Sequence, residues 1–102
     1  MTNVIDKHRN EVAALCQRAG ARRLDAFGSV LRDDFDPQTS DLDFLVEFDI
    51  RPGFDYFSAY FGLKEGLERV LKRPVEVVSV SSIRNPYFRE QVMRTREQVH
   101  AA

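Results

Sequence analysis

Residues 41–48 (DLDFLVEF) alternate between two kinds of side chain, and this pattern constrains the fold more than any other feature of the chain. Successive side chains of a β-strand point to opposite faces of the sheet. One set is wholly apolar and consists of Leu42, Phe44, Val46 and Phe48. The other set is mostly acidic and consists of Asp41, Asp43, Leu45 and Glu47. The segment therefore predicts a strand with one face in a hydrophobic core, and the chain must build a sheet around it.

The other periodicities place this strand in a small domain that mixes helices and strands. Apolar residues at helical spacing predict helices over residues 3–18, 54–71 and 86–98. Residues 23–27 and the β-branched run 75–80 predict two more strands, and the polar, proline-containing stretch 32–40 predicts a loop. The predicted order is α-β-loop-β-α-β-α. This order indicates an α/β (α+β) fold with a small mixed sheet flanked by helices, in a single domain spanning residues 1–102.

Charge and cysteine content exclude several classes of function. The 102 residues include 15 basic and 16 acidic side chains, so the chain lacks the positive excess of a nucleic-acid clamp, and we expect no direct nucleic-acid binding. Cys16 is the single cysteine and lies on the apolar stripe of the first predicted helix, which predicts a buried residue rather than a disulfide or a zinc site. No apolar run reaches the roughly 18 residues of a membrane span or forms a signal peptide, so we expect a cytoplasmic protein that does not bind membranes.

Acidic residues are nonetheless concentrated, since residues 33–49 contain seven of them and no Lys or Arg. Two of these, Asp41 and Asp43, lie two residues apart on the predicted strand, so both carboxylates point to the same face with Cα atoms about 6.5–7 Å apart. Both can therefore reach one divalent cation or a pair of them, and Mg²⁺ prefers oxygen ligands of this kind. Each could also simply face solvent.

Glu76 is the lone acid of the apolar strand predicted over residues 75–80. A carboxylate in such a strand needs a metal, a cationic partner or an exposed sheet face. If Glu76 lies near Asp41 and Asp43, the three like charges repel one another, and a shared divalent cation would explain why they cluster.

Gly28 and Ser29 directly follow the strand predicted over residues 23–27. Glycine permits a tight turn and lets a bulky ligand approach the backbone amides, and serine adds a hydroxyl and an N–H group. The pair is therefore a candidate phosphate cradle, although an ordinary turn after a strand has the same composition.

These residues together resemble a known family. The motif Phe27-Gly28-Ser29, followed after eleven residues by DLDFLV (residues 41–46), is similar to the signature of the polymerase-beta-type nucleotidyltransferase superfamily. The short chain and the strand around Glu76 resemble its minimal nucleotidyltransferases (MNTs). Many MNTs are antitoxins encoded beside a helical HEPN-domain toxin. The resemblance implies the nucleotidyltransferase fold.

The resemblance also implies a set of site residues and a reaction. Gly28 and Ser29 would hold the triphosphate of ATP, and Asp41, Asp43 and Glu76 would hold Mg²⁺, with two ions expected. AMP would be transferred from ATP to a hydroxyl of the HEPN toxin, a tyrosine in family terms, and this AMPylation would silence the toxin's RNase activity. We therefore expect an antitoxin that forms a hetero-oligomer with a HEPN-domain partner.

The helix predicted over residues 54–71 supports a partner surface, because its first eight residues include five aromatics. The stripe predicted to face the core consists of Phe57, Tyr60, Phe61, Lys64, Leu67, Val70 and Leu71. Phe54 and Tyr56 fall off this stripe, so we expect them to be exposed at a partner interface, unless they wrap over the small core. Gly62 and Gly66, one turn apart, indicate either close packing against another element or a weak helix.

Two other functions fit the same sequence. After Gly28 and Ser29 the family commonly continues Arg-Ala-Arg-Gly, whereas this chain reads VLRD (residues 30–33). That departure favours a binding-only antitoxin, which would occlude the toxin through its aromatic helix. Nucleotidyl transfer to RNA or to a small molecule is a further alternative, although proteins with those acceptors generally add an acceptor-binding domain.

Overall fold

A computed structural model describes residues 3–28 and 42–101 of the chain. The helices are α1 (Asn3–Asp6), α2 (Arg9–Ala19), α3 (Tyr56–Leu71) and α4 (Pro86–Thr95), with a 3₁₀ turn at Val80–Ser82. The strands are β1 (Ala21–Phe27), β2 (Leu42–Phe48), β3 (Val75–Ser79) and β4 (Glu97–Ala101), in the sheet order β3-β2-β1-β4. The mixed α/β architecture predicted from the sequence is confirmed, whereas the loop predicted over residues 32–40 lies outside the described residues.

The direction of each strand determines which residues meet. β1 is antiparallel to both of its neighbours, β2 and β4, whereas β2 and β3 are parallel. Parallel neighbours need a crossover connection, and α3 supplies it. The parallel register places Leu42 beside Val75 and Asp43 beside Glu76. Residues far apart in the chain therefore meet where both strands begin.

Local sequence signals define the helix ends. α2 ends at Gly20, which has a φ of +72° and donates its N–H group to Cys16 O and Gln17 O. α3 begins after Asp55, whose carboxylate accepts hydrogen bonds from the Ser58 N–H at 3.2 Å and the Ser58 hydroxyl at 2.7 Å. None of the helices in the described ranges is long and apolar enough to span a membrane.

The two faces of the sheet are covered unequally. α2 and α3 enclose the main core on one face, and this core includes the apolar set predicted for β2 (Leu42, Phe44, Val46 and Phe48). α4 lies over part of the opposite face, where a smaller cluster contains Phe27, Leu45, Ile83 and Val92. Leu45 is only 1% exposed. The face that the sequence assigns to the outside is therefore half covered, and its open part carries the candidate site.

The C-terminal segment differs from its prediction. The helix predicted over residues 86–98 ends at Thr95, and Glu97–Ala101 forms β4 beside β1. Arg96 is extended, with φ −61° and ψ 148°, and Val99 is buried in the main core. Without β4, β1 would be a sheet edge with unpaired backbone groups. The described residues therefore contain one more strand than the predicted order.

The N-terminal helix is interrupted, whereas residues 3–18 predict a continuous one. α1 ends at Asp6 and α2 begins at Arg9, with a turn in which the His8 N–H donates to Ile5 O at 3.0 Å. Cys16 lies fully buried in α2, and burial raises the pKa of its thiol to about 12. The prediction that Cys16 is a buried residue is confirmed.

α3 turns only part of the predicted stripe towards the core. Leu67 and Leu71 are buried, and Tyr60 and Val70 are partly buried against the main core, as predicted. The helix also buries Leu63 and Gly66. Phe57 and Phe61 are 71% and 42% exposed and contact each other, with ring centroids 4.7 Å apart. Their assignment to the core-facing stripe is therefore wrong. The physical reason is the close approach of α2 at Gly66, which turns that side of α3 inward.

Phe54 and Tyr56 both pack against Phe48 at the end of β2. Their ring centroids lie 5.6 and 5.4 Å from that of Phe48. Phe54 is partly buried against the main core, whereas Tyr56 is 40% exposed. Of the two alternatives for Phe54, the structure therefore favours the one in which its ring wraps over the small core instead of being exposed. The exposed aromatic surface lies instead at Phe57 and Phe61, beside Tyr56.

Gly62 and Gly66 offer a matched test of helix packing. A Cβ atom at Gly66 would overlap the Leu15 side chain of α2, whereas at Gly62 it would meet no described atom within 4 Å. Alanine favours a helix by about 1 kcal/mol over glycine, so Gly62→Ala should raise the free energy of unfolding by that amount. Gly66→Ala should lower it by about 1–2 kcal/mol, because overpacking outweighs the gain in helix propensity. Urea denaturation followed by circular dichroism measures both, and stabilisation by Gly66→Ala would contradict the packing role.

Candidate active site

Two carboxylates meet on the half-covered face of the sheet. Asp43 is the second residue of β2 and Glu76 is the second residue of β3, and the two are register partners. Register partners on neighbouring strands point to the same face. Their preceding neighbours, Leu42 and Val75, are buried in the main core, so Asp43 and Glu76 point to the opposite side, where α4 lies. Glu76 is exposed and Asp43 half-buried. The structure therefore brings these two predicted site residues together.

Gly28 lies directly against Asp43. It follows Phe27, the last residue of β1 and the register partner of Asp43. Its φ of +71° is a conformation that other residues rarely adopt. A Cβ atom at this position would lie only 2.5 Å from Asp43 Oδ2. Both the backbone conformation and the neighbouring carboxylate therefore favour glycine here, because the missing side chain lets the Asp43 carboxylate lie directly against the turn.

A cleft of about 340 Å³ extends from these residues to α4. Its walls are Phe27, Gly28, Asp43, Glu76 and Val78 on the sheet side and Phe88, Gln91, Val92 and Thr95 on α4. The volume lies near the lower end of the range for small-molecule sites. The contribution of α4 to this cleft was not predicted from the sequence. The helical spacing of 88, 91 and 95 could have shown that these residues share one side, but not that this side faces the carboxylates.

A larger cavity, of about 560 Å³, lies between α2 and the N-terminal part of α3. It is on the opposite side of the sheet from Asp43 and Glu76. Asp55 is the only carboxylate in its described lining, and this side chain already caps α3. The smaller cleft is therefore the better candidate for an active site, because two carboxylates that are not helix caps line it.

Ser29 and Asp41 lie outside the described residues, which break off at Gly28 and resume at Leu42. Their predicted contributions to the phosphate and metal sites therefore stay predictions. Both are chain neighbours of residues that the structure places at or beside the cleft, since Ser29 follows Gly28 and Asp41 is two residues before Asp43.

The donor set fits Mg²⁺ with the help of a substrate. Over residues 3–28 and 42–101, no group of three or more His, Cys, Asp or Glu side chains could hold a metal ion. Asp43 and Glu76 supply two neighbouring carboxylates. Mg²⁺ is typically bound through one or two carboxylates together with waters and substrate phosphates. The pair meets that requirement, because both carboxylates line the same open cleft, which leaves space for waters and substrate phosphates.

Asp25 is a further carboxylate on this face, and sequence analysis missed it. It is 1% exposed and is the register partner of Leu45. Its carboxylate accepts hydrogen bonds from Arg23 Nε at 2.9 Å and from Arg96 Nη1 at 3.2 Å. Because Arg96 joins α4 to β4, this ion-pair network ties the helical wall of the cleft to β1. The acid within the otherwise apolar stretch 24–27 was the available signal, as it was for Glu76.

The sequence profile of the nucleotidyltransferase domain family matches residues 5–99, which is nearly the whole chain. The chain belongs to this family. The prediction of a nucleotidyltransferase, made from the Gly28-Ser29 turn, the Asp41 and Asp43 strand and Glu76, is thereby confirmed at the level of the enzyme class. The role of each residue in the domain stays a prediction.

Individual relatives of this nucleotidyltransferase domain agree with the family assignment. MJ1379 of Methanocaldococcus jannaschii, a candidate protein adenylyltransferase, is 32% identical over 89 residues, which are 87% of this chain and 84% of that protein. A candidate minimal nucleotidyltransferase of known structure is 38% identical with a TM-score of 0.69, and the match covers 90% of this chain and 89% of that one. The resemblance to minimal nucleotidyltransferases is therefore confirmed.

A complex of the tri-AMPylated HEPN toxin of Shewanella oneidensis with an MNT antitoxin shares the fold at lower identity. The match has a TM-score of 0.65 and 20% identity, and it covers 96% of this chain and 73% of that one. A likeness at this identity concerns the fold alone.

Proposed function

We propose that this nucleotidyltransferase domain is an Mg²⁺-dependent antitoxin that transfers AMP from ATP to a tyrosine hydroxyl of a HEPN-domain RNase toxin. The observation that carries the proposal is the register pair of Asp43 and Glu76, with Gly28 packed against Asp43. Such a site combines carboxylates suited to a divalent cation with a backbone turn that a phosphate chain can approach. Further support comes from MJ1379, a candidate protein adenylyltransferase, and from the AMPylated HEPN toxin found with an MNT antitoxin.

Each site residue has a role in this proposal. Gly28 and Ser29 would hold the triphosphate, and Asp41, Asp43 and Glu76 would hold two Mg²⁺ ions. Bound Mg²⁺ would lower the pKa of the acceptor hydroxyl and neutralise charge on the leaving oxygens. The acceptor oxygen forms a bond to the α-phosphorus while the bond to the bridging oxygen breaks. Pyrophosphate leaves, and the hydroxyl proton passes to solvent.

The fold supports these roles by holding the residues on rigid elements. Asp43 lies on β2 between β1, which ends at Phe27 before Gly28, and β3, which carries Glu76. Strand positions keep functional groups in place more accurately than loop positions, and a misplacement of about 1 Å can cost about 100-fold in rate. Asp25 contributes indirectly, because its ion pairs with Arg23 and Arg96 fix α4 against the same sheet.

The proposal is tested by incubating the purified chain with ATP, Mg²⁺ and the product of the neighbouring gene, which the proposal expects to be a HEPN protein. Intact-mass spectrometry should show the HEPN protein gaining one or more AMP units, and tandem mass spectrometry should place them on tyrosine. Omission of Mg²⁺ should abolish the gain. An unmodified HEPN protein, under conditions in which size-exclusion chromatography shows the complex, would contradict the proposal.

A binding-only antitoxin is the second candidate, and the exposed aromatic surface of α3 favours it. Phe57 is 71% exposed and Phe61 42% exposed, and exposed aromatics are common anchors of protein interfaces. In this case neutralisation of the toxin would survive the loss of Asp43 and would fail on replacement of Phe57 and Phe61 with Ser. The first candidate requires the opposite response to loss of Asp43.

A further inference from the structure

α4 lines the carboxylate cleft with an aromatic ring. Phe88, Gln91 and Thr95 are spaced three and four residues apart, so they lie on one side of the helix, and all three line the same cleft as Asp43 and Glu76. Phe88 is 42% exposed. Single exposed apolar residues are ordinary on a protein surface, but this one lies within the candidate active site.

The ring of Phe88 packs against the sheet, and the helix that carries it is anchored on both sides of this residue. The ring meets Phe27 edge to face, with ring centroids 6.2 Å apart and an interplanar angle of 72°. The backbone N–H group of Phe88 donates to Asn85 Oδ1 at 3.2 Å in the cap that begins α4, and Val92, one turn further on, is buried. Because Phe27 precedes Gly28 in the chain, the aromatic pair is continuous with the turn beside Asp43.

The cleft therefore combines two chemistries in one space. Its sheet wall carries the carboxylates of Asp43 and Glu76, which suit a metal-bound phosphate chain. Its α4 wall carries a partly exposed ring with a carboxamide one turn away, which suits a flat ligand with polar edges. A nucleotide has both of these parts, whereas inorganic phosphate has only the first.

We propose that Phe88 stacks on the base of the nucleoside triphosphate and that Gln91 reads the edge of that base. This inference rests on the proposed function, since it takes the cleft to be the nucleotide site. A glutamine carboxamide can pair with adenine by accepting from N6 and donating to N7. Guanine offers two acceptors at the corresponding positions, so Gln91 favours ATP over GTP.

The test compares two ligands that share the phosphate chain and differ in the base. Isothermal titration calorimetry with Mg²⁺ measures the binding of a non-hydrolysable ATP analogue and of inorganic triphosphate to the full chain. Base stacking on an aromatic side chain is lost on alanine substitution, so Phe88→Ala should lower the affinity for the ATP analogue by about tenfold or more. Phe88→Ala should bind inorganic triphosphate as tightly as wild type does. Phe88→Trp, which keeps an aromatic ring, should bind the ATP analogue with an affinity close to that of wild type.

Neighbouring residues supply the controls. Tyr87, also on α4, is 83% exposed and does not line the cleft, so Tyr87→Ala should leave both ligands unaffected. Gln91→Met preserves the length of the side chain without its hydrogen bonds, and it should reduce the preference for the ATP analogue over its GTP counterpart to near unity.

The outcomes separate this inference from the proposed function. A wild-type chain that binds neither ligand would overturn the proposed function and this inference together. Normal binding of the ATP analogue by Phe88→Ala would overturn the inference alone, and a simultaneous loss of AMP transfer would indicate that the ring contacts the acceptor instead. If Phe88→Ala lost affinity for both ligands equally, the inference would be overturned, because Phe88 would then support the fold rather than contact the base.

Discussion

Asp43→Asn should reduce the proposed AMP transfer to a HEPN protein at least about 1,000-fold. Asparagine preserves the size of the side chain but removes the negative charge beside Glu76 and Gly28. A divalent cation contributes several kcal/mol of charge stabilisation in such reactions, and about 4 kcal/mol corresponds to a factor of 1,000 in rate. The measurement is the initial rate of AMP incorporation at saturating ATP and Mg²⁺, followed by intact-mass spectrometry.

The stability of Asp43→Asn separates a catalytic role from a structural one. Asparagine keeps the size of the side chain and one of its two acceptor oxygens, and like charges at register positions destabilise a sheet, so the melting temperature of Asp43→Asn without Mg²⁺ should stay close to that of wild type. Ligands that bind the native state stabilise it, so wild-type protein should melt at a higher temperature with Mg²⁺ and ATP present. This ligand-induced shift should be much smaller for the variant. A variant that melts well below wild type without Mg²⁺ would instead indicate that Asp43 is needed for folding.

Glu47→Gln is the matched control for loss of a strand carboxylate. Glu47 lies on β2 four residues after Asp43 and forms an ion pair with Arg22 at 3.1 Å, in which both side chains are largely exposed. Such surface pairs contribute at most about 1 kcal/mol. The control should therefore retain full AMP transfer and nearly wild-type stability. A comparable loss of activity in both variants would contradict a specific role for Asp43.

The parts of the fold that the sequence predicted are those set by strong local patterns. The alternation of Leu42 and Phe44 with Asp43 predicts both the strand and its two faces, because a period of two has few alternative explanations. The same pattern predicts the outward direction of Asp43, and the lone acid in the third strand identifies Glu76. The pairing of Asp43 with Glu76 depends on the direction and the register of β2 and β3, which are far apart in the chain, so neither local pattern predicts it.

β4 could not be predicted in the same way. Residues 97–101 (EQVHA) contain a single large apolar side chain, Val99, so their pattern does not distinguish a strand from the end of a helix. The strand forms because β1 and β4 exchange backbone hydrogen bonds as an antiparallel pair and because Val99 completes the main core. Both causes are tertiary and have no counterpart in local sequence.

The orientation of α3 shows a second limit of periodicity. A stripe through Phe57 and Phe61 contains the larger apolar residues, yet the buried side of the helix includes Gly66. A small residue at a helix contact permits closer approach than a large one, and here it accommodates Leu15. A hydrophobic pattern gives glycine no weight, so it includes Phe57 and Phe61 in the buried stripe, although it identifies Leu67 and Leu71 correctly.

Gly28→Ala should lower AMP transfer by about 100-fold, which is more than its effect on stability explains. Alanine at the observed φ of +71° costs about 1–2 kcal/mol of stability. In addition, its Cβ would lie 2.5 Å from Asp43 Oδ2, so the carboxylate must move. Displacement of a catalytic group by about 1 Å can cost about 100-fold in rate. The same AMP-incorporation assay measures the loss, and urea denaturation measures the cost in stability.

Gly53→Ala is the control that separates these two effects. Gly53 also has a positive φ, +84°, but no described atom lies within 4 Å of the position of its Cβ. The backbone penalty should therefore be similar in both variants, while only Gly28→Ala displaces the Asp43 carboxylate. Equal losses of stability with unequal losses of activity would locate the defect at Asp43. Full activity in Gly28→Ala would mean that the Asp43 carboxylate can move without loss of function, and the turn after β1 would then have no part in catalysis.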